Sequence, residues 1–135
     1  MRMLERRQVT FSAPPLLQWN FQRDVWSVEA NFLVNWVQVE NMLGTNLASF
    51  TVPAGFETDL ASIPRAFRGI VPQVGRHIQA AITHDYIYSG AVFMRREDAD
   101  LLFLDAMELL GVNWFRRHIM YRAVRTFGSL AWKGK

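Results

Sequence analysis

The 135 residues include no cysteine and five Trp, and half of them are hydrophobic. A disulfide framework, a thiolate zinc site and a Cys nucleophile are thereby excluded, and the balance is far from that of a disordered chain. The formal charge of +3 is small but unevenly placed: Arg2, Arg6 and Arg7 open the chain, Arg116, Arg117, Arg122, Arg125, Lys133 and Lys135 mark its last third, and Glu97, Asp98, Asp100, Asp105 and Glu108 cluster before them.

A chain of this length fits one domain able to bury roughly two thirds of its unfolded surface, so it needs no staple. Residues 1–22 read as an extended arm or edge segment, with Phe11 to Phe21 interrupted by Pro14-Pro15. The opening Met1 to Arg7 has no apolar run behind it, and no stretch approaches the roughly 18 to 20 apolar residues of a membrane span. Neither a secretory leader nor a membrane span is expected.

Residues 23–56 are β-rich. Trp26, Val28, Ala30, Phe32, Val34 and Trp36 alternate with Ser27, Glu29, Asn31 and Asn35, the period of two of a half-buried antiparallel strand or hairpin; Leu33 alone breaks the polar face. Val37 and Val39 extend it, Asn41 to Asn46 with Gly44 reads as a turn, and Leu47 to Val52 returns as a strand that Pro53 ends. Residues 57–75 form a polar loop containing a short helix from Pro64 to about Gly69, with Ser62 or Ile63 near its cap.

Residues 76–132 are helical. A helix from Arg76 to Ser89, closed by Gly90, is apolar on nearly every side, so it is central and carries His84 and Asp85 inward; His77, Ala81, His84 and Tyr88 share one stripe. The next, from Arg96 to Leu110, sets Ala99, Leu102, Phe103, Ala106, Met107, Leu109 and Leu110 against Glu97, Asp98, Asp105 and Glu108. Asp100 falls at the edge of the apolar face with Arg96 one turn before it, spaced either for a surface salt bridge or to point toward His84. The last helix, Trp114 to Phe127, turns Ile119, Met120, Ala123, Val124 and Phe127 inward and His118, Arg122 and Arg125 outward; Trp132 folds back onto the body. The acidic and basic helices are matched for antiparallel packing, and Arg122 and Arg125 also form a candidate basic surface for nucleic acid. The fold class is therefore α+β: a small antiparallel sheet from the N-terminal half packed against three to four C-terminal helices.

The chemistry-bearing residues gather in three places: Val52 to Arg65 (Val-Pro-x-Gly-Phe-x-Thr-Asp-x-Ala-Ser-x-Pro-Arg), Ala80 to Tyr88 (Ala-Ala-Ile-x-His-Asp-x-x-Tyr) and Arg96 to Phe103 (Arg-x-x-x-Asp-x-x-Phe). The ordered set resembles a family of small uncharacterised proteins encoded largely by tailed bacteriophages and prophages, and Tyr121 to Arg125 with Gly128 is similar to that family's C-terminal segment. The resemblance spans roughly Trp26 to Trp132 and implies phage origin, with a place in the virion or in host lysis; it transfers no catalytic role.

Thr58, Asp59, Ser62, His84, Asp85, Tyr88, Arg96 and Asp100 are expected to form one polar network, because buried polar groups need partners. Three readings of it stand open. In one, Asp59, His84 and Asp100 hold a divalent ion such as zinc or manganese and activate water in a hydrolase, for example of cell-wall peptide bonds. In another, His84 with Asp85 or Asp59 is a metal-free acid/base site; Ser62 lacks the strand-turn-helix elbow of a nucleophile. In the third the network is architectural, needs no cofactor, and pins the loop onto the buried helix. The last leaves the protein to act through contacts, as a phage accessory or virion-associated component, for example of the tail, with other phage proteins as partners and the host cytoplasm or the virion as its location. Trp19, Trp36, Trp114 and Trp132 are its candidate interface anchors.

Overall fold

The structure is a computed structural model and describes residues 6–40, 43–60 and 77–134. Ser62, the expected Pro64 to Gly69 helix and the expected helix start at Arg76 lie outside the described residues. The class read from sequence, α+β, is the one observed, with six strands and three α-helices among the described residues. The strands are β1 (Arg6–Phe11), β2 (Leu17–Asn20), β3 (Val25–Val28), β4 (Phe32–Glu40), β5 (Leu43–Val52) and β6 (Glu57–Thr58). The helices are α1 (Ile78–Tyr86), α2 (Arg96–Leu109) and α3 (Trp114–Phe127); a π turn (Ile87–Ala91) continues α1 and a 3-10 turn (Gly128–Leu130) follows α3.

The strands form two antiparallel three-stranded sheets, ordered β1-β4-β5 and β2-β3-β6, where the sequence suggests one. The alternation from Trp26 to Trp36 is divided at residues 29–31. There the Glu29 amide bonds the Leu16 carbonyl at 2.8 Å, and the Asn31 side chain accepts from the Ala54 amide at 2.6 Å. Backbone groups that leave one ladder must be satisfied elsewhere, and these bonds let the chain change sheets. On β4 the expected pattern holds: Phe32, Val34 and Trp36 are buried, and Leu33 and Asn35 are exposed. The segment read only as an arm supplies β1 and β2, and β1 pairs with β4 from Arg6↔Val39 to Phe11↔Val34.

The helices cover the inner face of the β1-β4-β5 sheet. Val9, Val34, Trp36 and Val52 from the strands meet Ile82, Leu102, Phe103, Met107 and Val124 in one core. Asn113 caps α3 by accepting from the Arg116 amide at 2.8 Å. At the end of α1 the chain widens into the π turn, where Gly90 adopts φ 88°. A Cβ at Gly90 would sit 3.2 Å from the Lys133 carbonyl, and the Lys133 amide donates to the Tyr88 carbonyl at 2.9 Å, so the glycine lets the C-terminal segment lie against this turn. No helix among the described residues is long and apolar enough to cross a membrane.

Four expectations about exposure are corrected. Asp105, placed on the outer face of α2 by periodicity, is buried: its Oδ2 accepts from Trp36 Nε1 and from Arg7 Nε, both at 2.9 Å. An indole N–H and a guanidinium reaching from the sheet satisfy the acid, which one helix's period does not reveal. Leu109 and Phe127, expected inside, are 50% and 47% exposed, each at the end of its helix where the covering neighbours stop. Of the candidate anchors, Trp36 is buried in the core, Trp132 folds back as expected to meet Tyr88 edge-on at 5.1 Å, and Trp19 packs on Trp26; Trp114 is 63% exposed.

Candidate functional site

Asp100 is the centre of the polar network. It sits on α2 with no solvent exposure, and both carboxylate oxygens are engaged. Oδ1 faces His84 Nε2 at 2.7 Å and accepts from the Tyr88 hydroxyl at 2.5 Å; Oδ2 accepts from Arg125 Nη1 at 2.8 Å and meets Arg96 Nη1 at 3.5 Å. A carboxylate offers about four acceptor positions, so these partners saturate it. The residues come from α1, the π turn, α2 and α3, and one buried charge therefore joins all of them.

The protonation states follow from this geometry. Burial pushes Asp100 upward, but the bonds from His84, Tyr88 and Arg125 outweigh it and hold the carboxyl below its ordinary range. Burial dominates at His84 and lowers its pKa despite the adjacent carboxylate. His84 is thus neutral near pH 7, and since ionised Asp100 only accepts, the proton resides on Nε2. The contact is a hydrogen bond, not an ion pair. Burial, then the bond to Asp100, pushes the Tyr88 hydroxyl well above its usual value. His84 also packs against Tyr88 and Phe103, with ring centroids 4.1 and 4.6 Å away.

Arg96 extends the network to the end of α3. Its guanidinium donates to the Val124 and Arg125 carbonyls in the final turn at 3.0 and 3.3 Å, sharing the Val124 oxygen with the Gly128 amide that caps the helix. Arg125, read from sequence as part of an outward basic surface with Arg122, instead turns its head to Asp100; Arg122 is exposed as expected. Gly128 closes the arrangement. A Cβ there would stand 2.5 Å from the Tyr88 hydroxyl and 3.1 Å from Arg96 Nη1. Gly128→Ala is expected to cost about 1–3 kcal/mol through this overpacking, seen as a lower urea midpoint with unchanged helical circular dichroism.

A second group lies beside the first. The Thr58 hydroxyl donates to Asp85 Oδ2 and accepts from the Leu60 amide at 2.9 Å, tying β6 to α1. The second bond holds Leu60 at φ 62°, a left-handed conformation that costs a branched side chain about 1–2 kcal/mol; the side chain is fixed in the core with 3% exposure. Thr58 and Asp85 line a cleft of about 330 Å³ together with Asp59, Tyr88, Arg23 and Lys133. Asp59 is exposed at this cleft, whereas His84 and Asp100 lie behind it without exposure.

The residues expected to converge thus divide into two linked groups, with adjacent His84 and Asp85 pointing to different partners. Thr58 and Asp85 face the cleft; His84, Tyr88, Arg96 and Asp100 are bonded behind it, and Tyr88 belongs to both. The metal triple Asp59, His84 and Asp100 is not assembled: among the described residues no group of three His or carboxylate side chains is placed to hold an ion. The physical reason is that two guanidinium groups, not a cation site, meet the outer oxygen of Asp100. Ser62 lies outside the described residues. Sequence reasoning noted Gly128 only as part of the C-terminal segment and gave Arg23 and Lys133 no place at the cleft, since nothing in their local sequence points to it. For Arg125 a signal existed, since a fully buried carboxylate needs more compensation than Arg96 alone supplies.

Comparison with known proteins gives a relationship without an activity. The model of a family described as "Protein of unknown function (DUF1353)" matches residues 26–124. A Sinorhizobium fredii protein (strain NBRC 101917 / NGR234), "Uncharacterized protein y4jT", is 33% identical over 85 residues, covering 62% of this chain and 25% of the relative. The match therefore spans about a quarter of that relative's length. No solved structure matches.

Proposed function

Since the chain belongs to the DUF1353 family of proteins of unknown function, we propose, from its geometry and from the resemblance of its motifs to a phage-encoded family, that it is a bacteriophage accessory or virion-associated component that works by binding another protein. The observation that carries this reading is the contrast between its inside and its outside. The groups best suited to proton transfer, His84 and Asp100, are fully buried and committed to one another. The outer face of α3 instead offers Trp114 and Phe115, 63% and 65% exposed, large aromatic side chains of the kind that anchor binding surfaces. The Trp114 ring is held ready by stacking on His118, with centroids 4.3 Å apart, and the His118 ring bonds the Trp114 carbonyl at 2.8 Å.

The chemistry of that face selects its partner. From Trp114 to Phe127 the helix carries four Arg and no acid, and Arg116 and Arg122 are exposed on the same helix. An acidic protein surface with an apolar recess complements it. The phage reading is supported by the resemblance of the three ordered motifs to the phage-encoded family, and the host cytoplasm during infection or the particle is the location that goes with this proposal.

The test uses purified particles and assembly intermediates of the phage or prophage that encodes the chain. Quantitative mass spectrometry is expected to find the wild-type protein there and at least tenfold less of Trp114→Ala/Phe115→Ala, since loss of one anchor of 2 kcal/mol or more exceeds a tenfold change in affinity. Circular dichroism of the variant should match the wild type. Absence of the wild-type chain from all such fractions, or undiminished incorporation of the folded variant, would overturn the proposal, as would steeply salt-dependent binding of the α3 face to nucleic acid.

A further inference from the structure

Among the described residues strand β5 has one paired edge and one open edge. It bonds β4 along its length, from Leu43↔Glu40 to Val52↔Phe32, and is the last strand of its sheet among the described residues. Among the described residues no backbone hydrogen bond beyond this ladder involves any residue of β5. The outward N–H and C=O groups are therefore a template for another strand.

Natural edge strands are usually blunted by charge, proline or irregularity. The ten residues Leu-Gly-Thr-Asn-Leu-Ala-Ser-Phe-Thr-Val contain neither a charged side chain nor a proline. One bulge is present: Leu47 is the extra residue between the pairs Trp36↔Ala48 and Val37↔Asn46. It leaves regular runs on either side, at 43–46 and 48–52. Leu43 is 75% and Leu47 38% exposed, so apolar surface accompanies the open backbone.

The opposite edge of the same sheet is protected. Strand β1 begins with two Arg, and its Arg7 is bonded to Asp105 of α2. Growth of the sheet is thus favoured at one edge only, which gives a closed pair and not a filament. We propose that β5 is a dimerisation edge whose occupant is β5 of a second copy, paired antiparallel about a two-fold axis to merge two three-stranded sheets into one of six. An uncharged strand meets its own copy without like-charge repulsion, so self-pairing carries no electrostatic penalty. This surface uses none of the α3 residues assigned to the acidic partner, and the two proposals fail independently.

Size-exclusion chromatography with light scattering on the full chain tests it. The wild type is expected at twice its 15.6 kDa at micromolar concentration. Leu43→Lys/Thr45→Lys, which sets ammonium groups along the edge, is expected at monomer mass with unchanged circular dichroism. Leu33→Lys, an exposed substitution on the central strand β4, should remain dimeric, as should Trp114→Ala. A monomeric wild type, or a dimer unaffected by the edge lysines, would overturn the proposal; if the lysine pair fails to fold, Thr45→Lys alone must weaken dimerisation for it to stand.

Discussion

Asp100→Asn is expected to lower the stability of the protein by about 3 kcal/mol or more, the range measured when one partner of a buried ion pair is removed. The carboxylate is the shared acceptor for His84, Tyr88, Arg96 and Arg125. Asparagine keeps the size but removes the charge, and its amide presents donors to a guanidinium that is itself a donor. The two arginines are left with 22% and 30% side-chain exposure, enough to recover some hydration but not to leave the interface. A domain of this size has about 5–15 kcal/mol in total, so the loss is a substantial fraction. Urea denaturation should show the midpoint falling with little change in slope. A shift below about 1 kcal/mol would place Asp100 among ordinary surface ion pairs.

The second large effect is of pH. Burial lowers the pKa of His84 and of His77 in the folded protein, while both return to about 6.5 when unfolded. Below about pH 6.5 the unfolded chain takes up protons that the folded chain refuses, so stability falls as pH drops toward the folded values. Each such histidine contributes a slope of up to about 1.4 kcal/mol per pH unit in that window. Asp100 acts further into acid: its folded pKa is depressed, so its contribution is complete above the unfolded value of about 4 and is lost as pH falls through the folded value. Urea midpoints measured between pH 8 and 5 should decline, and in His77→Asn the decline that remains belongs to His84. Midpoints independent of pH from 7 to 5 in that variant would mean that His84 is not held neutral.

These effects bear on function because the bonds from which they follow join α1, α2 and α3 through Asp100. Catalytic groups need access to substrate and a free orbital or proton, and the filled coordination of Asp100 offers neither. Thr58 and Asp85 do reach the cleft, where they join β6 to α1 and support the strained Leu60. The binding reading thus draws on what the buried residues are already doing as well as on the aromatic face of α3.

Local periodicity made much of this legible. The alternation on β4 and the α3 limits, Trp114 to Phe127, appear in the structure as read, because each depends on a strong pattern within one element. Strand β1 did not, since Arg-Arg-Gln-Val-Thr-Phe alternates poorly and its partner lies more than twenty residues away. The pull of His84 and Asp85 into the interior was legible from their place on an apolar helix, whereas for Asp100 the spacing left a surface salt bridge and an inward direction both open. Their division into two groups was not, because it depends on which neighbouring element supplies each partner. Asp105 and Arg125 make the same point from opposite directions: one left its expected solvent face for Trp36 and Arg7, the other for Asp100.

The claim that Asp100 and its cations act as one clamp across α2 and α3 is tested most directly by a double-mutant cycle of Asp100→Asn and Arg125→Met in urea. A coupling energy of about 1–3 kcal/mol is expected, as for residues in one buried network. Additive effects, within about 0.5 kcal/mol, would contradict it.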